Sequence, residues 1–452
     1  MRQIFISHKF ASQKLASMTV ASICLGLLGF AAGCGGGGSS PSTLSSTPTP
    51  SNGSNILPIA VDGGPTANHA NGSNYVDAAF ASATICAPGS TTNCVTINGL
   101  LVDTGSSGLR VFQSEVSSLG LPALNASSGS PAYDCVNFAD GSYLWGPVDQ
   151  ASVTLGGEAA VKVPIQKISS STTGIPSSCS NGSTMNQNTQ ALLGANGILG
   201  VGIEPTDCFY EGGSACDPLS GSPAPPFPAY YTCSGSTCNP AFISVASQVA
   251  NPVALFPTDN NGVIVELPSV SGSAASVKGS LIFGIGTQSN NQVASGATVL
   301  KLVCDSFTTQ FGGKTYGITD DTNCSGPGSF IDSGSNGLYF PNATNIPVCP
   351  SNTSVGDLSS FYCPSSTESL SATNEGEDGK SKSTSFSVAN AESLFTNSGT
   401  SSDAAQSALG GANPVGYGFD WGLPFFFGVN VYNAIDGQNV PSGLPAAPWW
   451  AY

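Results

Sequence analysis

Hydrophobic residues recur along this chain in short runs that are separated by Gly, Asn or Pro turns. Six runs are rich in Val, Ile and Leu, as is typical of strands. Helical periodicity is clear only over Ala241–Val249 and Asp403–Leu409. The pattern therefore predicts an all-β protein with few, short helices. The predicted strands are Tyr75–Ala81, Val95–Val102, Ala151–Leu155, Val161–Ile168, Val263–Leu267 and Ser280–Phe283.

Three stretches depart from this pattern. Residues 35–55 contain Gly, Ser, Thr and Pro without apolar periodicity and predict a flexible tether, with globular patterning from Ile56 onwards. The stretch Glu204–Pro240 is rich in Cys and Pro and is interpreted as an inserted loop. The Ser-rich stretch Ser365–Ser385 is interpreted as an exposed or mobile loop.

A nine-residue motif occurs twice. Residues 101–109 read LVDTGSSGL and residues 330–338 read FIDSGSNGL. An apolar-apolar-Gly element follows each copy, Ile198–Gly200 after the first and Phe426–Gly428 after the second. The glycines lie 97 residues after Asp103 and 96 residues after Asp332. Two motifs in the same order at nearly equal separation indicate duplicated halves.

Asp103 and Asp332 carry the candidate chemistry of the repeat. Each follows an apolar strand that delivers its carboxyl group into a low-dielectric environment. Two carboxylates in contact do not both ionise readily, so they share a proton and titrate as a unit. Such a pair can deprotonate a water with one carboxylate and protonate a substrate carbonyl with the other, without metal or cofactor. The predicted supporting residues are Thr104, Gly105, Ser106, Ser333, Gly334 and Ser335.

From about Tyr75 to Asp436, these motifs resemble the pepsin family of aspartic peptidases. The resemblance implies an all-β, bilobal fold with a cleft between two pseudo-two-fold related lobes, residues 56–287 and 288–452. It also implies a flap hairpin over the cleft, within Cys135–Tyr143. The flap residues are Phe138, Asp140, Gly141, Ser142 and Tyr143.

The chain departs from the family at several positions. Phe138 stands where the family usually has a flap Tyr, and Tyr143 is a candidate replacement for that hydroxyl. Arg110 stands where Trp is common. Asp140 and Asp420 are interpreted as turn residues rather than catalytic ones.

Two functional hypotheses follow. The first is an aspartic endopeptidase of the cell envelope that cleaves extended polypeptide. The alternative is a non-catalytic, pepsin-like surface lipoprotein that binds a protein or glycan in its cleft, and the altered flap motivates it. The protein is expected to act as a monomer in either case. A Ser-His-Asp triad is disfavoured because it would depend on His69, the single His beyond the N-terminal segment.

Acidic residues dominate the charge of the chain. There are 27 Asp and Glu against 11 Lys and Arg, for a formal net charge of −16. Binding to phosphates needs clustered Lys and Arg, so nucleic acid is excluded as an expected partner. Electrostatic docking to anionic lipid is disfavoured for the same reason.

The N-terminus is predicted to direct export. Residues 1–33 are expected to be a signal peptide, with positive charges at Arg2, Lys9 and Lys14 before an apolar run. The run is shorter than a membrane span requires.

A lipid anchor is predicted at Cys34, because residues 31–34, AAGC, resemble a bacterial lipobox. The alternative is a secreted protein that is cleaved nearby. Gly35, rather than Asp, follows the lipidated Cys, which favours the outer membrane of a Gram-negative bacterium. Residues 34–55 then form the tether, and the whole chain resembles an uncharacterised group of Gram-negative lipoproteins with the same double motif.

Twelve cysteines remain for an exported fold, which suggests six disulfides. Their spacing predicts four local pairs and leaves the pairing within a cluster of four open. Zinc is the disfavoured alternative, since export oxidises thiols. The predicted pairs are Cys86–Cys94, Cys135–Cys179, Cys304–Cys324 and Cys349–Cys363, and the cluster is Cys208, Cys216, Cys233 and Cys238.

Overall fold

Strands dominate the protein, as the sequence predicts. A computed structural model describes residues 55–65, 75–138, 140–171, 173–180, 183–208, 229–318, 328–396, 403–413 and 418–452. The predicted signal peptide, Cys34, the tether and His69 lie outside these ranges. No helix within these ranges is long and apolar enough to cross a membrane.

The described ranges contain 25 strands and four short α-helices. The strands are β1 (Ile56–Val61), β2 (Phe80–Cys86), β3 (Cys94–Asp103), β4 (Ser107–Phe112), β5 (Ala132–Asn137), β6 (Tyr143–Leu155), β7 (Glu158–Ile168), β8 (Gly197–Val201), β9 (Tyr230–Ser234), β10 (Thr237–Pro240), β11 (Gly262–Glu266), β12 (Ser273–Ala274), β13 (Val277–Phe283), β14 (Val299–Lys301), β15 (Thr308–Phe311), β16 (Lys314–Tyr316), β17 (Phe330–Ile331), β18 (Leu338–Phe340), β19 (Glu368–Glu375), β20 (Ser381–Val388), β21 (Ala405–Gln406), β22 (Gly410–Ala412), β23 (Asp420–Trp421), β24 (Asn430–Ala434) and β25 (Trp449–Ala451). The helices are α1 (Gln113–Val116), α2 (Ser177–Ser180), α3 (Gln190–Leu193) and α4 (Ala391–Thr396), and single 3₁₀ turns span Ser117–Leu119, Val245–Ser247, Pro252–Leu255 and Leu423–Phe426.

The largest sheet of the described residues has fifteen strands, in the order β10-β9-β5-β6-β7-β4-β8-β3-β2-β1-β13-β11-β24-β25-β14. The sheet crosses the predicted lobe boundary after residue 287, because β11 pairs with β24. Division into two lobes stays a prediction. One apolar cluster extends beneath both motif copies and contains Val102 and Leu199 together with Ile331 and Trp421.

Five of the six predicted strands coincide with observed ones, and the first is displaced. The strand predicted at Tyr75–Ala81 begins only at Phe80 and continues to Cys86. Asp77 prevents an earlier start, because its φ is +52°. Its carboxylate also accepts the backbone N–H of Gln406 at 2.7 Å, which fixes the segment as a turn.

Both predicted helices are wrong because tertiary hydrogen bonds take their backbone groups. Ala241–Val249 contains only the 3₁₀ turn Val245–Ser247, and the Val249 N–H donates to the Tyr230 hydroxyl. Asp403–Leu409 contains β21, which pairs with β12.

The loop predicted at Ser365–Ser385 is instead part of the β19–β20 hairpin. Leu370 and Phe386 lie opposite each other in this hairpin and pack against the large apolar cluster. Hydroxyl groups pair on the other face, where Thr373 and Ser383 are 2.8 Å apart. The polar composition of this stretch therefore conceals a hairpin with one apolar face and one polar face.

Disulfides link neighbouring elements as the cysteine spacing predicts. Three predicted pairs are present, and Cys233–Cys238 resolves part of the open cluster by closing the β9–β10 hairpin. Cys208 and Cys304 are also disulfide-bonded, while Cys216 and Cys324 lie outside the described residues. The predicted pairs present are Cys86–Cys94, Cys135–Cys179 and Cys349–Cys363.

Candidate active site

The two motif copies form the same arrangement of strands. In the first, β3 ends at Asp103 and runs parallel to β8, which is antiparallel to β4, and β4 is parallel to β7. In the second, β17 ends just before Asp332 and runs parallel to β23, which is antiparallel to β18, and β18 is parallel to β22. Each aspartate therefore leaves its strand at an equivalent point.

The second apolar-apolar-Gly element was predicted at the wrong position. Ile331 pairs with Trp421, as Val102 pairs with Leu199, so the counterpart of Gly200 is Gly422. Gly422 lies 90 residues after Asp332. The predicted element, Phe426–Gly428, lies outside the strand and includes the end of a 3₁₀ turn. The true element escaped notice because it begins with Asp420, which interrupts the apolar run.

Each catalytic candidate is held by its own loop. Asp103 Oδ1 accepts the N–H groups of Gly105 at 2.9 Å and Ser106 at 3.0 Å, and Oδ2 accepts the Ser106 hydroxyl at 2.5 Å. Asp332 Oδ1 accepts the Gly334 N–H at 2.7 Å, and Oδ2 accepts the Ser335 hydroxyl at 2.8 Å. Both carboxyl groups are fully buried.

The two carboxyl groups approach each other across paired glycines. The Gly105 N–H lies 3.2 Å from Asp332 Oδ1 as well as bonding to Asp103. A Cβ added to Gly105 would lie less than 3.0 Å from the Asp332 carboxyl carbon, and one added to Gly334 would lie 2.8 Å from that of Asp103. Only glycine admits the opposite carboxyl group so closely.

Thr104 and Ser333 lock the two loops together. The Ser333 N–H donates to Thr104 Oγ1 at 2.9 Å, and the Thr104 N–H donates to Ser333 Oγ at 3.1 Å. Each hydroxyl then donates to a backbone carbonyl of the opposite motif, Ser333 to Val102 at 2.7 Å and Thr104 to Ile331 at 3.4 Å. All of these groups are buried, so the lock fixes the separation of the aspartates.

We expect Thr104→Val to lower the free energy of unfolding by about 1–3 kcal/mol, because it leaves the buried Ser333 N–H without a partner. Ser333→Ala should have a similar cost, and the double variant should cost less than the sum of both. Urea unfolding measures all three. Thr84→Val is the matched control, since its hydroxyl pairs with Thr96 on an exposed face. Additive losses would contradict a shared lock.

Burial raises the pKa of both aspartates, but not equally. For Asp103, hydrogen bonds from Ser106 and Gly105 and a contact with Asp332 oppose the effect of burial. The pKa of Asp332 is raised well above its usual value, by burial and then by the neighbouring carboxyl groups of Asp103 and Asp420. The two carboxyl groups titrate as a coupled pair, and the stronger rise at Asp332 favours this carboxyl as the holder of the shared proton.

Asp420 was predicted to be a turn residue, which is wrong. It lies in β23, where it is 5% exposed, at the position that corresponds to Ile198 in β8. Its Oδ2 is 2.5 Å from Ser335 Oγ, the hydroxyl that also contacts Asp332. Burial raises the pKa of Asp420 well above its usual value. Only the pairing of β23 with β17 shows that Asp420 lies beside the motif of Asp332, since no sequence motif surrounds Asp420.

The predicted flap is the β5–β6 hairpin. Its turn is closed by a hydrogen bond from the Phe138 N–H to the Ser142 carbonyl. Asp140 stabilises the turn by accepting the Ser142 N–H at 2.7 Å, and Gly141 takes a φ of +81°. Tyr143 packs beside Trp145 and takes a hydrogen bond from Asn186 at 3.3 Å. Its hydroxyl is therefore engaged apart from the apolar cluster that contains Phe138.

Tyr75 lies near the predicted flap, a position that the sequence did not reveal. It precedes β2 and packs in the same apolar cluster as Phe138. Its hydroxyl is buried and has no hydrogen-bond partner among the described residues. Burial, followed by the charges of Asp140, Asp332 and Asp103, raises the pKa of this hydroxyl. A neutral phenol therefore lies within electrostatic reach of both catalytic candidates.

Arg110 forms a buried ionic cluster. Its Nη2 lies 2.8 Å from Asp207 Oδ2 and 3.6 Å from Asp134 Oδ2. Burial raises the pKa of Asp207 to about 6, although the Arg110 charge lowers it. The Tyr230 hydroxyl donates to the same carboxyl group at 2.6 Å. This cluster fastens β4 to β5, through Asp134, and to β9, through Tyr230.

Comparisons with known proteins complete the description. A family model described as "Protein of unknown function (DUF3443)" matches residues 51–452. A crystal structure of an aspartic proteinase from Irpex lacteus is similar over 84% of this chain and 94% of that chain, with 15% sequence identity and a TM-score of 0.42. No curated protein matches the sequence.

Proposed function

We propose that this chain, which belongs to the DUF3443 family of proteins of unknown function, is an aspartic endopeptidase of the cell envelope. One observation carries the proposal: two buried carboxyl groups face each other across paired glycines, and a reciprocal hydroxyl lock holds them in place. Asp103 and Asp332 are the catalytic residues of this proposal. Its proposed substrate is extended polypeptide, because both carboxyl groups are fully buried and a folded protein could not reach them.

The mechanism begins with a water between the two carboxyl groups. Asp103 takes a proton from the water while the water oxygen bonds to the scissile carbonyl carbon. Asp332 gives its proton to the carbonyl oxygen. The product is a neutral tetrahedral diol. Asp103 then passes its proton to the amide nitrogen, the C–N bond breaks, and a diol hydroxyl returns a proton to Asp332. Both carboxyl groups end in their starting states.

The N-terminal segment motivates the proposed location. Export through the signal peptide, followed by lipidation of Cys34, would hold the protein at the outer membrane. The disulfides of the described residues are consistent with an oxidising compartment outside the cytoplasm. A peptidase at this place acts on exported or external polypeptide.

The test is cleavage of an unfolded, fluorescently labelled protein by the full chain purified in detergent, from pH 3 to about pH 8. Pepstatin, a mimic of the tetrahedral intermediate, is added to a parallel series. We expect cleavage that is strongest in acid, where one proton remains on the pair, and that pepstatin abolishes. A folded protein that cuts nothing at any pH would overturn the proposal.

The flap supports a second candidate function. The disulfide Cys135–Cys179 ties its strand to α2, and the backbone of Tyr143 bonds to Met185 and Gln187 at its edge. A flap held in place by these bonds suits a site that binds a protein or glycan without cleaving it. A tight complex with an envelope protein that survives prolonged incubation intact at acid pH would favour this binder over the peptidase.

A further inference from the structure

The Ser335 hydroxyl lies between two carboxyl groups. Its Oγ is 2.8 Å from Asp332 Oδ2 and 2.5 Å from Asp420 Oδ2, and all three residues are buried. A serine hydroxyl has one hydrogen and donates to one acceptor at a time. One of the two short contacts therefore needs a hydrogen from a carboxyl group.

Asp420 is the better place for that hydrogen. Its Oδ1 is buried and has no hydrogen-bond partner within the described ranges. Among the ion pairs of these ranges, none involves Asp420. An ionised carboxylate in this position would be desolvated without a cation or a full set of donors, whereas the neutral acid has a much smaller desolvation cost.

The groups around Asp420 also favour the neutral form. On one side of β23, the paired strand β17 leads to Asp332. The negative charge of Asp103 also raises the pKa of Asp420. β18, on the other side, places Tyr339 opposite Asp420, and the Tyr339 hydroxyl donates to Asn336 at 2.7 Å. The charge that acts on Asp420 is thus the negative charge of Asp103, and the Tyr339 hydroxyl donates to Asn336 rather than to Asp420.

We propose that Asp420 carries a second carboxyl proton at the site, beside the one that the catalytic pair shares, and donates it to Ser335, which keeps the Ser335 hydroxyl directed at Asp332. Asp420 acts through Ser335 and is a positioning residue. When it ionises, the Ser335 hydrogen turns towards Asp420, and Asp332 loses its outer hydrogen bond. The catalytic consequence rests on the proposed peptidase function, whereas the position of the proton does not.

The proposal gives a definite sign for the variant Asp420→Asn. The amide stays neutral and keeps a donor for Ser335 at every pH. In the wild type, activity is lost when either Asp420 or the catalytic pair releases the next proton, but in the variant only the pair can do so. The alkaline limb of the kcat/KM profile should therefore move to higher pH, by about one pH unit.

The activity test compares pH profiles of the full chain for the wild type, Asp420→Asn and the exposed control Asp357→Asn. We expect the alkaline limb to move only in Asp420→Asn. Ser335→Ala provides the second comparison, because adding Asp420→Asn to it should not move the limb further. An alkaline limb at the same pH in the wild type and Asp420→Asn would overturn the proposal. So would a full shift of the limb when Asp420→Asn is added to Ser335→Ala.

A second readout does not depend on cleavage. Infrared spectra of the full chain at weakly acidic pH should contain a C=O band from protonated, buried carboxyl groups, and Asp420→Asn should remove one component of it. Loss of this component in a chain that cuts nothing would overturn the peptidase function and still support the proton on Asp420. An unchanged band in Asp420→Asn would overturn the proposed proton on Asp420, whatever the activity.

Discussion

Asp103→Asn is expected to lower kcat/KM for an unfolded protein substrate by on the order of 10⁴ or more, with the fold intact. The amide cannot take a proton from water, because its nitrogen is not basic. Its oxygen can still accept the N–H groups of Gly105 and Ser106, which hold the native carboxylate at 2.9 and 3.0 Å. Stopped-time cleavage assays measure the loss, and circular dichroism with urea unfolding reports the fold.

Two further variants make this result specific. Asp332→Asn should cause a similar loss, because it removes the acid that protonates the carbonyl oxygen. Asp357→Asn is the matched control, since Asp357 is exposed and its carboxylate accepts the Ser359 N–H at 3.0 Å, outside both motifs in the sequence. Should Asp103→Asn keep more than about a tenth of the wild-type activity, another group must activate the water.

The free energy of unfolding is expected to fall as pH rises from about 4 to 7. Six buried aspartates have pKa values above those of an unfolded chain, so the folded state binds more protons in this range. Their stabilising contribution is complete below the unfolded pKa and is lost as pH passes the folded pKa. For Asp207, a rise from 3.8 to about 6 corresponds to about 3 kcal/mol. The six are Asp77, Asp103, Asp134, Asp207, Asp332 and Asp420.

Urea unfolding of the full chain at a series of pH values checks this slope. Asp77→Asn should flatten it, because the carboxyl group accepts the Gln406 N–H through Oδ1 and has no partner for Oδ2 in the described part of the chain. The surface variant Asp378→Asn should leave the slope nearly unchanged. Stability that is constant or rises from pH 4 to 7 would show that these carboxyl groups ionise freely in the folded protein.

Features that depend on adjacent residues were predictable from the sequence. The two Asp-Thr/Ser-Gly-Ser motifs contain, within four residues, the carboxylate, the turn glycine and the hydroxyl that the structure brings together. The turn of the β5–β6 hairpin and the disulfides Cys86–Cys94 and Cys349–Cys363 are likewise set by short spacings. In each case the contacts form between residues that the chain already holds close together.

Features that depend on strand pairing were not predictable in the same way. Gly422 was missed because counting residues from Asp332 assumed equal insertions in both halves. Asp420 looked like a turn residue because Asp and Gly are both common in turns and Gly422 follows it closely. The position of Tyr75 was not predictable, because Tyr75 and Phe138 are distant in the sequence and join one apolar cluster only in the folded chain. The stretch Ser365–Ser385 was predicted to be a loop because its many polar residues concealed the few apolar positions that mark the hairpin.

The correspondence between Ile198 and Asp420 breaks the symmetry of the duplication at one point. A catalytic pair on an exact two-fold axis has no reason to prefer one carboxyl group as the acid, and it would accept a polypeptide in either orientation. A peptide bond, however, has a direction. With Asp420 on one side only, the proposed cleft acquires a direction as well, and a chain threaded in reverse would present its carbonyl oxygen to the carboxyl group that has no proton to give.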